Sequence, residues 1–446
     1  MRARTQQTIG AGVPAWFLAV ALAGWVGADP ALGQWGQWGG GDRNFMVAAA
    51  GLAESWPEDG PRKLWHRELG DGYATIVVDD GVLYTMYRTD EDEFTVALDA
   101  TTGKTIWEHR NPSPFTELMA QFGPGPHSTP LVAGDRLYTV GTNAVMHCFD
   151  KKSGTALWKH DLPKEYGAPI PPRGYGCSPI AYKNTVILPV DHVRPAEGPD
   201  AAADGAEEKP AEKPAEKPAE PQSLVAFDQA TGAVVWKAHD YPISYPSPIL
   251  IHFEGQEQLV QLLEKEIIGV DPATGALLWH FELSPAGANM ATPLWNDDNL
   301  LFCSSAYDSG SRVVQLSKKD GTTVAEQLWY SRKMRIHHGN PVRIGEQVVG
   351  SSGDFGPAFF MAVEIRTGEP VWRERGFKKA TCLYADGKLI ILDEDGQLAL
   401  ATATPDGLSI KSSCVVAERY AWAAPTLVGK TLYVRDRKHI MALDLG

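Results

Sequence analysis

The chain has 446 residues, of which 43% are hydrophobic, and it carries a formal net charge of −14. This proportion of apolar side chains is enough for one large packed core. The acidic balance argues against nucleic acid as a partner, because phosphate backbones are recognised by basic surfaces.

The first residues have the pattern of an export signal. Arg2 and Arg4 precede an apolar run from Ala11 to Ala28, and small residues follow that run. A basic start, a short apolar centre and small residues near the cleavage point are typical of a signal peptide, which we assign to residues 1–33. We therefore expect a periplasmic or extracellular protein with no stable membrane span after cleavage. A retained membrane anchor is the alternative.

A leader rich in Trp and Gly occupies residues 34–61 and contains Trp35, Trp38 and Trp56. We expect these tryptophans to pack on the outside of the domain that follows. A part in stacking on carbohydrate is the alternative, because an indole offers a flat apolar face.

One motif of eleven residues recurs along the rest of the chain. Residues 97–107 read ALDATTGKTIW, and related stretches lie at 148–158, 226–236, 269–279 and 362–372. The acidic residue of the motif can accept from backbone N–H groups in a tight turn, and the Gly adopts the positive φ that a hairpin often needs. Each copy therefore predicts a β-hairpin with a Trp on its second strand.

The spacing of these tryptophans predicts how the hairpins assemble. An indole buries on the order of 200 Å², which an isolated hairpin cannot shield, so neighbouring units are expected to stack. The motif tryptophans are 42 to 51 residues apart once an insert at 195–221 is set aside. This period is typical of the four-stranded blades of a β-propeller. We expect seven tryptophans to dock on neighbouring blades: Trp65, Trp107, Trp158, Trp236, Trp279, Trp329 and Trp372.

The two ends of the chain predict a closed ring. Residues 440–446 form half a motif without its Trp strand, and residues 62–69 supply such a strand with Trp65. An N-terminal strand that completes the last blade removes exposed sheet edges. Over residues 62–446 we therefore predict an all-β fold, an eight-bladed β-propeller of four-stranded antiparallel blades closed by the N-terminal strand.

Three stretches depart from the repeat. Gly321 precedes Trp329 by eight residues instead of four, so the fifth hairpin is longer. The seventh copy, at residues 399–407, keeps its turn but has no Trp after it. Residues 195–221 are rich in Pro, Ala, Glu and Lys, so we expect a disordered loop inserted in the third blade. A binding tail is the alternative interpretation of that insert.

The repeat resembles that of the pyrroloquinoline-quinone (PQQ) type β-propeller family, whose tryptophan-docking motif is matched by Ala97, Asp99, Thr102, Gly103 and Trp107 and by their counterparts. The chain is similar to the outer-membrane assembly factors of this family, and its leader resembles that of exported propellers from planctomycete-type bacteria. The resemblance implies that each Trp packs on the neighbouring blade. Catalytic members are dehydrogenases that hold the quinone with two adjacent cysteines, Ca²⁺ and an Asp base, and this chain has no adjacent Cys pair.

Most repeats contain a small residue followed by Pro, and in the family this step starts the innermost strand, beside a central channel. The residues just ahead of the step are therefore expected at one mouth of the channel, where they would form a polar, aromatic-lined pocket for a ligand. The alternative is that they fill the channel and bond to one another and to water. The candidate ligand-binding residues are His127, Tyr175, Tyr245, His338 and Trp422, with Asn289, Met290 and His337 beside them.

The sequence assigns no catalytic residue and no metal site. Adjacent side chains on a strand point to opposite faces, so His337 and His338 are not expected to share an ion. We expect no cofactor, with PQQ and Ca²⁺ as the alternative.

These observations predict an exported, non-catalytic β-propeller that acts as a binding or assembly scaffold in the cell envelope. We expect a protein partner there and a monomeric chain. The alternatives are a divergent PQQ-dependent or related oxidoreductase and a carbohydrate- or polymer-binding module.

Overall fold

The computed structural model describes Met1 and residues 35–114, 122–191, 222–287, 289–296, 298–307, 309–354 and 358–446. The insert at 195–221 and the assigned signal peptide after Met1 lie outside these residues. Within them, strands dominate and the one helix is α1, Leu162–Tyr166. No helix of this part of the chain is long and apolar enough to cross a bilayer.

The strands form eight sheets in the described residues, and each sheet is a blade. Two strands precede the first blade: β1 (Met46–Val47) and β2 (Arg62–Glu68). Blade 1 contains β3 (Val77–Asp79), β4 (Val82–Thr89), β5 (Asp92–Asp99) and β6 (Thr105–Pro112). Blade 2 contains β7 (Leu131–Ala133), β8 (Arg136–Val140), β9 (Val145–Asp150) and β10 (Ala156–Asp161). Blade 3 contains β11 (Ile180–Tyr182), β12 (Thr185–Pro189), β13 (Leu224–Asp228) and β14 (Val234–Ala238).

The remaining blades follow in the same order. Blade 4 contains β15 (Ile249–Phe253), β16 (Gln256–Leu262), β17 (Glu266–Val270) and β18 (Leu277–Glu282). Blade 5 contains β19 (Leu294–Asn296), β20 (Leu300–Ser305), β21 (Gly310–Lys319) and β22 (Thr322–Ser331). Blade 6 contains β23 (Val342–Ile344), β24 (Gln347–Ser352), β25 (Phe359–Glu364) and β26 (Pro370–Glu374). Blade 7 contains β27 (Thr381–Ala385), β28 (Lys388–Leu392), β29 (Gln397–Thr404) and β30 (Gly407–Val415). Blade 8 contains β31 (Thr426–Val428), β32 (Thr431–Arg435), β33 (His439–Asp444) and β2.

The predicted fold is confirmed. The protein is an eight-bladed β-propeller of four-stranded antiparallel blades, with β1 as an additional parallel strand on blade 7. The first strands of neighbouring blades contact one another, as β3 contacts β7 and β7 contacts β11, so they form the innermost layer. The N-terminal strand closes the ring, because β2 pairs antiparallel with β33 and places Trp65 opposite Ala442.

The motif hairpins fold as their residue types predict. Asp99 accepts from the backbone N–H of Thr102 at 2.8 Å and from its hydroxyl at 2.7 Å. Gly103 has a φ of 69°, in the left-handed region that favours glycine. Trp107 lies opposite Ala97 in the cross-strand register. A small residue opposite the Trp leaves room for the indole to lean out of its own blade.

Five of the motif tryptophans join neighbouring blades through the same contact. The indole N–H of each donates to a backbone carbonyl in a hairpin turn of the next blade: Trp65 to Ala100 (2.9 Å), Trp107 to Lys151 (2.9 Å), Trp158 to Gln229 (3.2 Å), Trp236 to Pro272 (3.2 Å) and Trp329 to Ile365 (2.7 Å). Each ring also lies over a turn glycine, where a Cβ would come within 2.5 to 2.8 Å of the indole: Gly103, Gly154, Gly232, Gly275 and Gly368. Both the positive φ and the close approach of the ring therefore require glycine.

Trp279 and Trp372 do not make this turn contact, although their strands contact the outermost strand of the next blade, β18 with β22 and β26 with β30. Trp279 donates to Gln258 at 2.7 Å and Trp372 donates to Gln347 at 2.9 Å, each within its own blade. The reason lies in the blade that follows each of them. Blade 5, after Trp279, has the longer hairpin, and blade 7, after Trp372, has the hairpin that lacks the full motif. A Cβ on their turn glycines would meet no neighbouring atom within 4 Å: Gly321 and Gly407.

The innermost strands are joined by the small hydroxyl residues that precede Pro. Thr129 Oγ1 accepts from the backbone N–H of Thr75 at 3.2 Å, and Ser178 Oγ accepts from that of Thr129 at 3.0 Å. Ser247 Oγ accepts from the N–H of Ser178 at 2.8 Å. Each bond links one blade to the next, so the step before Pro joins blades at the channel wall.

Residues 35–47 of the leader cross the central channel, so the expectation that the leader packs on the outside of the ring is wrong for Trp35 and Trp38. Trp56 does lie against an outer strand, since its backbone N–H donates to Ser412 of β30 at 2.6 Å. Trp35 is 2% exposed and exchanges two backbone hydrogen bonds with Val78 of β3, at 2.9 and 2.8 Å. The indole of Trp38 donates to Thr292, just ahead of β19, at 2.9 Å, and β1 pairs with β27. These partners belong to the inner layers of blades 1, 5 and 7. Trp35 and Trp56 are buried, so their faces are not available to carbohydrate.

Arg43 joins the leader to two further blades. Its side chain is buried, and its guanidinium donates to the carbonyls of Ser178 (3.3 Å), Pro179 and Pro248 (2.8 Å). Burial lowers the pKa of Arg43 to about 9. The guanidinium satisfies these buried carbonyls, and a buried polar group without a partner is costly.

We expect Gly275→Ala to destabilise the ring more than Gly321→Ala. The two glycines have similar φ values, 74° and 79°, so both alanines incur the strain of left-handed backbone. Only at Gly275 would the new Cβ also meet an indole, 2.6 Å from Trp236. Overpacking of this kind lowers the free energy of unfolding by about 1–3 kcal/mol. Chemical unfolding measures the difference, and equal losses for the two variants would contradict the role given to the docked indole.

We expect Arg43→Ala to loosen residues 35–47, because it removes the buried donor that the guanidinium supplies to carbonyls of blades 3 and 4, and an unsatisfied buried group costs about 1–3 kcal/mol. Amide hydrogen exchange should become faster in 35–47 and stay unchanged in β8 of blade 2. Arg62→Ala is the control, since Arg62 lies on the exposed edge strand and pairs with Asp444. Unchanged exchange in the leader of the Arg43 variant would show that other contacts hold it.

Candidate functional site

A cavity of about 200 Å³ lies at one mouth of the channel, with Trp38 of the leader in its wall. Four of the five residues proposed from the sequence line it: His127, Tyr245, His338 and Trp422. Met290 and His337 also line it. The aromatic character of the predicted pocket is therefore present at the channel mouth.

The wall residues occupy equivalent positions in the eight blades. Every blade contributes the residue three places before the Pro, or before the residue that replaces this Pro, and all eight positions line the cavity: Tyr73, His127, Gly176, Tyr245, Met290, His338, Lys379 and Trp422. The inner hydrogen bonds between blades fix this step at the same height in consecutive blades. The repeat geometry therefore brings eight equivalent positions to one point.

Tyr175 is placed elsewhere, and its assignment to the cavity is corrected. Its side chain is 3% exposed and its hydroxyl donates to the carbonyl of Pro189 at 2.7 Å, within blade 3. The equivalent wall position is Gly176, one residue later, so Tyr175 faces the blade interior. Asn289 is also buried away from the cavity wall, and its amide donates to the backbone carbonyl of Leu263 at 2.5 Å.

Several wall residues were missed by the sequence analysis. Tyr73 and Lys379 occupy the repeat position, but Ile76 and Cys382 stand where other blades have Pro, so the pattern was not recognised. Thr75 aligns with the hydroxyl residues that precede Pro in other blades, and this alignment could have identified Tyr73 as a wall residue. Four further wall residues lie in loops or in the leader and carry no repeat signal: Trp38, Phe122, Arg173 and Tyr307.

Trp422 is the centre of an aromatic wall. Its indole N–H donates to Glu394 at 3.1 Å, and that carboxylate also lies 3.4 Å from Arg419. Four rings surround it at centre-to-centre distances of 4.6 to 5.4 Å: His338, Tyr420, Tyr73 and Phe122. Contacts from several sides fix the indole plane, so this apolar surface is formed before any ligand arrives.

Tyr73 and His127 form a second flat element of the wall. Their rings are nearly parallel, with centres 5.5 Å apart. The hydroxyl of Tyr73 donates to the carbonyl of Phe122. Burial lowers the pKa of His127 to about 4, so its imidazole is neutral near pH 7.

His337 and His338 form a hydrogen-bonded chain with Tyr307. The two Nδ1 atoms are 2.8 Å apart, and Nε2 of His337 lies 2.7 Å from the Tyr307 hydroxyl. Both histidines line the cavity from an irregular segment before β23, so the expectation that they point to opposite faces of a strand is wrong. Nε2 of His338 is buried, and it has no hydrogen-bond partner among the described residues.

Positive charges complete the wall. Arg173 and Lys379 line the cavity, and Nζ of Lys379 lies 5.8 Å from the ring centre of Trp422. Burial, and then the charges of Lys379 and Arg173, lower the pKa of His337 to about 4. Burial and the same cations, with His337, hold the pKa of His338 well below its usual range. Among the described residues the wall contains no Asp or Glu, and no group of three His, Cys, Asp or Glu side chains is placed to hold a metal ion.

Comparison with known proteins identifies the family. The model described as outer membrane protein assembly factor BamB matches residues 45–200 and 220–354. The chain belongs to this family. A comparison with curated protein sequences found no match.

Solved structures of three kinds share the fold. BamB from Moraxella catarrhalis is 16% identical with a TM-score of 0.57, over 86% of this chain and 97% of that one. A quinohemoprotein alcohol dehydrogenase from Pseudomonas putida HK5 is 13% identical with a TM-score of 0.57, over 93% and 80%. The computationally designed protein Ika8 is 12% identical with a TM-score of 0.53, over 86% and 99%. At these identities the similarity shows the fold alone.

We expect His337→Gln to reduce the loss of stability in acid. A histidine with a folded-state pKa of about 4 binds fewer protons than in the unfolded chain, where its pKa is about 6.5, so stability falls as the pH drops from 6.5 towards 4. Between pH 7 and pH 5 the free energy of unfolding should fall by about 2 kcal/mol more in the wild type than in the variant.

Urea unfolding at the two pH values measures this difference. Exposed His252 supplies the control, because His252→Gln should keep the wild-type pH dependence. The same pH dependence in all three proteins would show that His337 is not held neutral in the folded state.

Proposed function

We propose that this chain is an exported, non-catalytic β-propeller that binds a protein partner in the cell envelope, with the channel-mouth cavity at the contact. The observation that carries the proposal is the convergence of eight equivalent positions on one preformed, aromatic-walled cavity. Membership of a family described as outer membrane assembly factors supports a partner in the envelope. The basic and apolar start of the chain supports export to the periplasm or beyond.

The leader supports binding at this mouth. Residues 35–47 cross the channel and place Trp38 in the wall of the cavity. A group that enters the cavity therefore contacts the leader at Trp38. The leader therefore closes one side of the cavity. A cavity closed on one side suits the docking of a single group from a partner.

A calcium-bound quinone is the second candidate, because a quinohemoprotein dehydrogenase shares the fold and the cavity has aromatic walls. Ca²⁺ is held in proteins by carboxylate, amide and carbonyl oxygens. The described side chains of the wall include no Asp, Glu, Asn or Gln. Their donor set does not fit this ion, and we derive no reaction through the quinone.

Site-specific photocrosslinking tests the protein partner. A benzophenone amino acid at position 122, in the cavity wall, should form an adduct with an envelope protein in cells of the native host. The same residue at position 157 is the control, because Leu157 lies on the outer strand of blade 2 and is 46% exposed. The absence of an adduct at 122, or the same adducts at both positions, would count against the proposal.

A further inference from the structure

The chemistry of the cavity wall indicates what it recognises. Resting on the proposed binding function, we propose that the cavity binds an aromatic ring that carries one carboxylate. Two sources share this chemistry, a free aromatic acid and the C-terminal aromatic residue of a polypeptide.

The size of the cavity suits a single ring. Its volume of about 200 Å³ exceeds that of an engineered apolar cavity of about 150 Å³ that binds benzene. The margin leaves room for a short chain with a carboxylate.

The aromatic wall offers a flat surface for that ring. Trp422 is fixed by Glu394 and by four surrounding rings, and Tyr73 is held parallel to His127. A rigid aromatic surface loses little conformational freedom when a ligand stacks on it. Offset or edge-on contact with such rings is the favoured geometry.

The charges of the wall favour an anion. Arg173 and Lys379 line the cavity, and no carboxylate does among its described residues, although the whole chain has a net charge of −14. Arg173 supplies a planar guanidinium that matches a carboxylate in two parallel hydrogen bonds. An amine in the same place would meet two cations in the wall.

The buried nitrogen of His338 supplies a further contact. The His338 ring lines the cavity, and its buried Nε2 has no partner in the part of the chain that the structure describes. When the Tyr307 hydroxyl donates to Nε2 of His337, His337 donates through Nδ1 to Nδ1 of His338, and His338 then carries its proton on Nε2. In this arrangement a small rotation of the ring would let Nε2–H donate to a carboxylate oxygen in the cavity and so satisfy this buried polar atom.

Calorimetric titration of the purified mature chain tests the inference with three probes: 3-phenylpropionate, N-acetylphenylalanine and N-acetylphenylalanine amide. We expect both acids to bind saturably and the amide to bind at least about tenfold more weakly, because it lacks the charge. Tighter binding of N-acetylphenylalanine would identify a polypeptide C-terminus as the source, and tighter binding of 3-phenylpropionate would identify a free acid.

Matched variants locate the site. Arg173→Gln should weaken both acids about tenfold and leave the amide unchanged, and Trp422→Ala should weaken all three probes. Exposed Arg332→Gln is the control and should bind as the wild type does. Circular dichroism and urea unfolding check that each variant is folded.

Three results would overturn the inference: equal affinity for acid and amide, unchanged acid binding by Arg173→Gln, or tighter binding of PQQ with Ca²⁺ than of either acid. The inference and the proposed function can fail separately. Adducts at position 122 without acid binding would reject the aromatic carboxylate and retain the protein partner. Acid binding without adducts would retain the aromatic carboxylate and reject the protein partner.

Discussion

The ring depends on one contact, an indole placed over the turn glycine of the next blade. In five places the Trp side chain leaves its own sheet, donates to a carbonyl of the neighbouring hairpin and covers a glycine with positive φ. Trp65 makes this contact from the N-terminal strand, so closure of the ring uses the same interaction as the internal blade junctions. Where the next hairpin lacks the motif geometry, Trp279 and Trp372 bond within their own blades instead.

A second set of bonds, nearer the axis, converts the ring into a binding surface. Hydroxyl residues such as Thr129 and Ser178 join successive inner strands at the step before Pro. That step has the same register in every blade, so the residue three places before it reaches the same mouth of the channel. The fold therefore determines where these eight positions meet, and the residue at each position determines whether that part of the wall is aromatic, cationic or open.

The architecture was predictable because its signals are local and periodic. The turn glycine and the Trp recur in a fixed frame, and the half motif at residues 440–446 matches the strand at 62–69. The site was only partly predictable, since a one-residue error in register exchanged Gly176 for Tyr175. The path of the leader could not be predicted, because Arg43 is recognised by backbone carbonyls, which leave no pattern in the sequence.

The positions that hold the ring together and those that line the cavity are different residues. The docking indoles lie on the outermost strands of their blades, while the wall residues lie ahead of the innermost strands. A substitution at Met290 or Lys379 therefore changes the cavity without touching a docked Trp. This separation lets one repeated scaffold carry unlike wall residues at equivalent positions, with a neutral imidazole at His338 and a cation at Lys379. Ligand recognition in this fold therefore depends on eight positions at which a substitution does not touch the indoles that hold the ring together.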